Sequence, residues 1–245
     1  MATAADGRFL AGGHALLPSL KQRLDHPSDL IDPGAIAELR GVTKAGGILT
    51  IGAMTPHADV ANSAVVRASI PALADLAAGI GDPQVRNRAT LGGSVAGNPT
   101  ADYPAALLGL GATIHTDRRQ IRADDFFVGT SKTALGRGEI VTAVAFPVPE
   151  KAAYAKFSGL ASRYAIAGVF VGKSSKGVRV AVTGAGACVF RDLDMENALA
   201  ADFAPRAIDG LRIPVSGLRS DRHASAEYRA HLIGVMARRA VAACR

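Results

Sequence analysis

IGDPQVRNRATLGGSVAGNPTADYPAALL occupies residues 80–108, and the rest of the chain is arranged around it. At its centre, Thr90-Leu91-Gly92-Gly93-Ser94 sets two glycines side by side. Without β-carbons the backbone can come close to an anion and adopt the φ > 0 conformations that amide-lined anion cradles use. Thr90 and Ser94 flank the pair with hydroxyls able to donate to phosphate oxygens. Asn98-Pro99-Thr100-Ala101-Asp102 then breaks regular structure and leads into a helix start, with Asp102 near the cap and Tyr103-Pro104 following. A carboxylate there can bond ribose hydroxyls or a ring nitrogen. On residue chemistry alone an ordinary tight turn at Gly92-Gly93 and an ordinary cap at Asp102 stay equally open, because a short glycine pair is a weak signal.

Upstream lies a second glycine-rich loop, Ala11-Gly12-Gly13-His14-Ala15-Leu16-Leu17-Pro18. Residues 8–11 predict a short buried strand that runs into it. A helix follows from about Ala15, with Pro18 in its first turn and Leu16, Leu17, Leu20 and Leu24 on one face. Strand, glycine loop and helix together point free amides and the positive end of the helix at an anion. His14 contributes either its side chain or its backbone amide alone.

Two such loops in this order closely resemble the FAD subunit of the molybdenum-containing hydroxylases, the family of xanthine dehydrogenase and aerobic carbon monoxide dehydrogenase. The resemblance continues in Ile51-Gly52-Ala53-Met54-Thr55, in residues 139–147, in Tyr154-Ala155-Lys156-Phe157 and in His223-Ala224-Ser225-Ala226-Glu227-Tyr228-Arg229. It therefore spans nearly the whole chain and extends to the carbon monoxide dehydrogenase-like medium subunits.

Composition agrees and excludes several other classes. With 245 residues, 49% of them hydrophobic, the chain can bury one large core or two smaller ones. Its apolar runs are broken well before the ~20 residues of a membrane span, and the start MATAADGRF lacks a signal-peptide pattern, so a cytoplasmic location is expected. Cys188 and Cys244 are the only cysteines, whereas ferredoxin-type iron–sulfur clusters need about four ligands. The 6 histidines show no ligand spacing, so no metal site is expected. The net charge of +7 invites a nucleic-acid reading, but aromatics make up 5%, tryptophan is absent and the arginines are dispersed. No nucleic-acid partner is expected; acidic partner subunits and a dianionic cofactor explain the charge as well.

In chain order, residues 29–51 predict short strands with a hairpin turn at Gly46-Gly47. Thr55-Pro56 predicts a capped helix, with His57 and Asp59 on the surface. Ser69-Ile70-Pro71 opens another helix, with Leu73, Leu76, Ala77 and Ile80 inward. Arg86 and Arg88 either neutralise phosphate or stand solvated on an extended loop. Residues 139–146 alternate as a strand that ends at Pro147-Val148-Pro149. Further strands follow at 154–157, 164–171 and 178–184. The last helix, from near Ser225, is expected to turn Tyr228, Leu232, Val235 and Met236 inward and Arg229, Arg238 and Arg239 outward.

The fold that the resemblance implies is α+β, with a two-subdomain FAD-binding domain of the p-cresol methylhydroxylase type at 1–149, divided near residue 54. A C-terminal α+β domain of carbon monoxide dehydrogenase flavoprotein type follows at 150–245. Family members normally carry a further strand and helix before the first loop, so the first subdomain is expected to be shortened, with an unpaired strand edge or apolar surface. The implied FAD contacts are Ala11, Gly12, Gly13, His14, Ala15 and Leu16, then Ile80, Gly81, Ala89, Thr90, Gly92, Gly93, Ser94, Ala96, Ala101 and Asp102. Backbone at Ile140 and Val141 is implied to lie against the cofactor, Lys156 near the flavin pyrimidine and Tyr164 against the isoalloxazine. For the last two, a snorkelling lysine and a half-buried strand tyrosine are the plain alternatives. No catalytic dyad or nucleophile stands out.

Electron transfer is the activity so implied: FAD takes electrons from a [2Fe-2S] small subunit and passes them to quinone, NAD or oxygen, while a molybdenum-cofactor large subunit oxidises the substrate. The implied assembly is a heterotrimer doubled into a hexamer. Two alternatives remain open: a self-sufficient flavin reductase of the same fold, and a non-catalytic assembly subunit that has lost FAD.

Overall fold

The computed structural model describes residues 6–97, 101–130, 132–160 and 162–245. The break expected at Asn98-Pro99-Thr100 lies outside the described residues, as do residues 1–5.

A small parallel unit comes first: β1 (Gly7–Phe9), α1 (Leu16–Lys21) and β2 (Asp29–Ile31), with Gly7 opposite Asp29 and Phe9 opposite Ile31. β1 is half-buried rather than buried and stops before the expected 8–11 span is complete. Its helix buries no residue, and Leu17, Leu24 and Leu30 stand exposed. Among the described residues none from this unit joins either hydrophobic core.

β3 (Val42–Ala45) and β4 (Ile48–Gly52) form a hairpin whose turn residues Gly46 and Gly47 have φ of 54° and 77°. Two successive positive φ values match the twist of the strands, as the glycine pair predicts. A helical layer follows: α2 (His57–Asn62), α3 (Ala64–Ser69), α4 (Pro71–Ala78), α5 (Pro83–Arg88), α6 (Leu91–Gly97) and α7 (Asp102–Leu110). Thr55 does not cap α2; its hydroxyl pairs with the Gly41 amide (3.0 Å) and carbonyl (3.2 Å) instead. Residues 83–88 are helical rather than extended, because Pro83 sits at the first helical position and the Asp82 carboxylate accepts from the Val85 amide at 2.8 Å.

β5 (Thr113–Thr116), β6 (Gln120–Arg122), α8 (Ala123–Phe126), β7 (Phe127–Gly129), β8 (Lys132–Thr133) and β9 (Val141–Pro147) complete the first half. A five-stranded antiparallel sheet has the order β3-β4-β9-β5-β6, so it unites residues on both sides of the boundary expected near residue 54. The expected strand starts later, at Val141. Glu139 is instead a buried loop carboxylate, held down at about 2 first by Arg119 at 2.9 Å and then by the Gly136 amide at 2.7 Å.

β10 (Lys151–Ser158), β11 (Ala165–Ser174), β12 (Gly177–Thr183) and β13 (Phe190–Arg191) make a four-stranded antiparallel sheet, covered on one face by α9 (Leu193–Ala201) and α10 (Ala226–Ala243). β11 is buried on both faces. Val169 and Val171 pack with Leu232, Ile233 and Met236, while Phe170 enters the first core together with Leu49, Ile51, Leu73, Leu107 and Phe146. α7 is buried throughout and lies close to Phe170, whose Cδ1 would stand 2.6 Å from a β-carbon on Gly109. The register of α10 differs from expectation: Arg229 is buried and Tyr228 exposed. The guanidinium of Arg229 reaches inward to the Ile166 carbonyl at 2.6 Å, the Gly184 carbonyl at 3.0 Å and Asp221 at 2.7 Å, so its charge is met inside by Asp221 while its Nε has no partner among the described residues. Mixed helices with antiparallel sheets make the fold α+β.

Candidate functional site

The first glycine loop is anchored where β1 ends, with the Leu10 amide donating to the Ile31 carbonyl at 2.9 Å. Gly13 has φ of 78°, in the left-handed region that favours glycine, and its carbonyl accepts from the Leu17 amide at 2.9 Å as α1 begins. From Ala11 to Leu16 no backbone amide donates to an acceptor among the described residues. A run of unused amides at a strand-to-helix turn is a set of donors for an anion.

The second loop works differently from the expectation. Gly92 and Gly93 lie inside α6 and neither has a positive φ. The amides are taken: Gly92 donates to the Ala53 carbonyl at 2.7 Å, Gly93 to the Thr90 hydroxyl at 3.2 Å and Ser94 to the Thr90 carbonyl at 3.0 Å. Close packing is what requires the glycines. A β-carbon on Gly92 would lie 2.5 Å from that of Ala53, and one on Gly93 would lie 3.1 Å from that of Ala11. Gly12 in turn packs its α-carbon onto the Arg88–Ala89 backbone. The structure thus joins Ala11, Gly12, Ala89, Thr90 and Gly93, with the run of open amides on the first loop. His14, Ala15 and Ala96 are exposed and Thr90 is buried. β9 reaches the same place, since the Thr142 carbonyl accepts from the Ala53 amide at 2.9 Å. Its neighbour Ile140 has both backbone groups engaged by Asp117, at 2.9 and 3.1 Å.

A second constellation gathers Ile80, Gly81, Asp102, Lys156 and the segment before Tyr164. Asp102 opens α7 without capping it; the cap residue is Ala101, and no side chain serves as cap acceptor. The buried Asp102 carboxylate accepts from the Tyr154 hydroxyl on one oxygen and from the Lys156 ammonium, at 3.0 Å, on the other. Lys156 gives its other hydrogens to the carbonyls of Gly79 (2.9 Å) and Arg163 (3.3 Å), so it is a clamp between segments rather than a snorkelling side chain. Arg163 adopts φ of 57° and donates to the Gly81 carbonyl at 3.2 Å, which also accepts from Arg86 at 2.9 Å. Next to it, Tyr164 stands 53% exposed, free to cover a ligand. Arg86 is thereby committed to the carbonyls of Ile80 and Gly81 rather than solvated.

Three residues were missed by sequence reasoning. His57, expected on the surface, is buried against Tyr103 with ring centroids 5.1 Å apart. Burial first, then the nearby charges of His14 and Arg86, lowers its pKa to about 4. Its Nδ1 and the Tyr103 hydroxyl have no partner among the described residues. Tyr154 is the third, and its spacing from Lys156 was the available signal: residues i and i+2 of a strand share a face. No group of metal-ligating side chains occurs among the described residues.

A family model described as the FAD binding domain in molybdopterin dehydrogenase matches residues 1–149. The chain is 35% identical to the carbon monoxide dehydrogenase medium chain of Hydrogenophaga pseudoflava, over 97% of this chain and 88% of the relative. It is 36% identical to the nicotine 6-hydroxylase medium subunit of Paenarthrobacter nicotinovorans, over 98% and 90%. Among solved structures, a Cu,Mo-CO dehydrogenase chain superimposes with a TM-score of 0.90 at 32% identity, covering 98% of this chain and 90% of that one. Quinoline 2-oxidoreductase from Pseudomonas putida gives 0.86 at 30% identity, covering 97% and 88%.

Proposed function

The chain belongs to the family of FAD-binding domains in molybdopterin dehydrogenases, and from that membership we propose that it is the electron-relaying flavoprotein subunit of a molybdenum hydroxylase. The observation that carries this reading is the run of unpartnered amides from Ala11 to Leu16, held against Ala89 and Thr90. A dinucleotide diphosphate fits it: its amides are free to donate, and His14 adds a further donor. The Thr90 and Ser94 hydroxyls complete the proposed contacts on that side. Asp102, Lys156 and Tyr164 form the proposed flavin end, with Ile80, Gly81, Ala101, Ile140 and Val141 as flanking backbone. Bound between these two constellations, FAD supplies two-electron storage with access to one-electron partners. The protein's own residues bind it, tie Asp102, Gly79 and Arg163 together through the Lys156 clamp and cover its ring with Tyr164.

The proposed partners are a molybdenum-cofactor large subunit and a [2Fe-2S] small subunit, in a heterotrimer doubled into a hexamer. Residues 1–149 form the proposed FAD-binding domain and 150–245 the proposed C-terminal domain. No helix among the described residues is long and apolar enough to cross a membrane, and the proposed location is the cytoplasm. The test is an absorbance titration of FAD-stripped protein with FAD, expected to saturate at one equivalent without covalent attachment. A chain that takes up no FAD would favour the non-catalytic assembly role.

A further inference from the structure

Tyr154 and Lys156 lie two residues apart on β10, so their side chains leave the same face of the strand. That face meets the first turn of α7. There the two side chains grip one buried carboxylate: the Tyr154 hydroxyl donates to Oδ1 of Asp102 and Lys156 Nζ to Oδ2. The phenol reaches it through a slot that exists because residue 168 has no side chain. A β-carbon on Gly168 would stand 2.4 Å from the Tyr154 hydroxyl oxygen. Phe170 lies along the ring, with centroids 6.2 Å apart and planes 29° apart, so the phenol has a fixed seat.

The two donors treat the carboxylate differently. Lys156 neutralises it, while Tyr154, uncharged, draws off charge density and fixes its rotation without adding a charge. We propose that Tyr154 is a positioning residue for the cofactor, acting through Asp102 to set the orientation and effective charge of the carboxylate at the proposed flavin end; this rests on the FAD reading above. A carboxylate left with one donor carries more unscreened negative charge, which opposes addition of electrons nearby.

The experiment compares FAD affinity and flavin midpoint potential in the full-length wild type, Tyr154→Phe, Asp102→Asn and the double variant. Tyr154→Phe keeps the ring and removes the hydroxyl. It is expected to weaken FAD binding about tenfold, as loss of a hydrogen bond to a charged group implies, and to move the potential to more negative values. In the Asp102→Asn background the same change is expected to do neither, because the group through which it acts is gone. Gly168→Ala, which fills the slot, is expected to reproduce the potential shift without touching Tyr154. Unchanged affinity and potential in Tyr154→Phe would overturn the inference. So would an equal effect with and without Asp102, which would make Tyr154 a packing residue. A wild type that takes up no FAD would overturn the cofactor reading itself, and this inference with it.

Discussion

Gly12 and Arg88 meet backbone to backbone: a β-carbon on Gly12 would lie 2.2 Å from the Arg88 carbonyl oxygen. This contact sets how closely the open amides of the first loop approach the Thr90 end of α6. Gly12→Ala must push the two segments apart, at a cost of about 1–3 kcal/mol if the backbone yields. FAD affinity should fall while far-UV circular dichroism stays near that of the wild type. Gly93→Val should act in the same direction, because its β-carbon would meet the Thr90 hydroxyl at 3.0 Å and Ala11 at 3.1 Å. Gly97→Ala is the control, with nothing within 4 Å among the described residues. If all three variants titrate with FAD alike, the contact has no part in binding.

His57 makes stability depend on pH. Its ordinary value of 6.5 is lowered to about 4 in the folded chain, so the native state keeps the ring neutral where the unfolded chain takes up a proton. The stabilising contribution is therefore complete above about pH 6.5 and is lost as the pH falls toward 4. Its size is on the order of 3 kcal/mol. Urea midpoints measured between pH 7 and 5 should drop more steeply in the wild type than in His57→Phe, which keeps a ring against Tyr103 but cannot titrate. Parallel profiles would show that acid acts elsewhere.

The limits of the sequence are clearest at Gly92 and His57. A glycine pair suits both a φ > 0 cradle and a tightly packed helix, and what decides is Ala53, a residue remote in sequence whose β-carbon occupies the space. Gly46-Gly47 was legible because a hairpin turn is a local structure that needs only its own two residues. His57 follows a Thr-Pro pair that looks like a surface helix start, yet its burial is fixed by Tyr103 from α7. Apolar periodicity also misplaced Arg229, since it cannot register carbonyls waiting inside at Ile166 and Gly184. The two glycine loops and their order, by contrast, were enough to give the family, because that pairing is specific.

Arg229 is accordingly expected to be structural. Arg229→Ala leaves two carbonyls and Asp221 without their shared donor, which should cost roughly 3 kcal/mol or more. Thermal unfolding should shift down by several degrees. Arg229→Lys should recover little of the loss, because a single ammonium cannot reproduce the fork that reaches all three acceptors. A melting temperature equal to that of the wild type in Arg229→Ala would mean that the buried guanidinium is dispensable.

The division of labour between subunits gives the last expectation. Two cysteines cannot hold an iron–sulfur cluster of the ferredoxin kinds, so one-electron delivery must come from another chain. At the proposed flavin end three charged side chains are already committed: Asp102 to Tyr154 and Lys156, Lys156 to the Gly79 and Arg163 carbonyls, and Arg86 to Ile80 and Gly81. A general base must reach the proton that it removes, and the Asp102 carboxylate is buried, with a donor already on each oxygen. The FAD-loaded chain alone should therefore leave candidate substrates unoxidised under anaerobic mixing, while dithionite bleaches its visible absorbance. Restoring the molybdenum and iron–sulfur subunits should restore electron flow from substrate to acceptor. Tyr164→Ala should then change the rate of reoxidation more than it changes FAD content, because the half-exposed ring is proposed to cover the ligand rather than anchor it. Rapid bleaching of the isolated chain by a substrate would replace the relay with a self-sufficient flavin enzyme, and the proton acceptor would then have to be sought outside the Asp102 clamp.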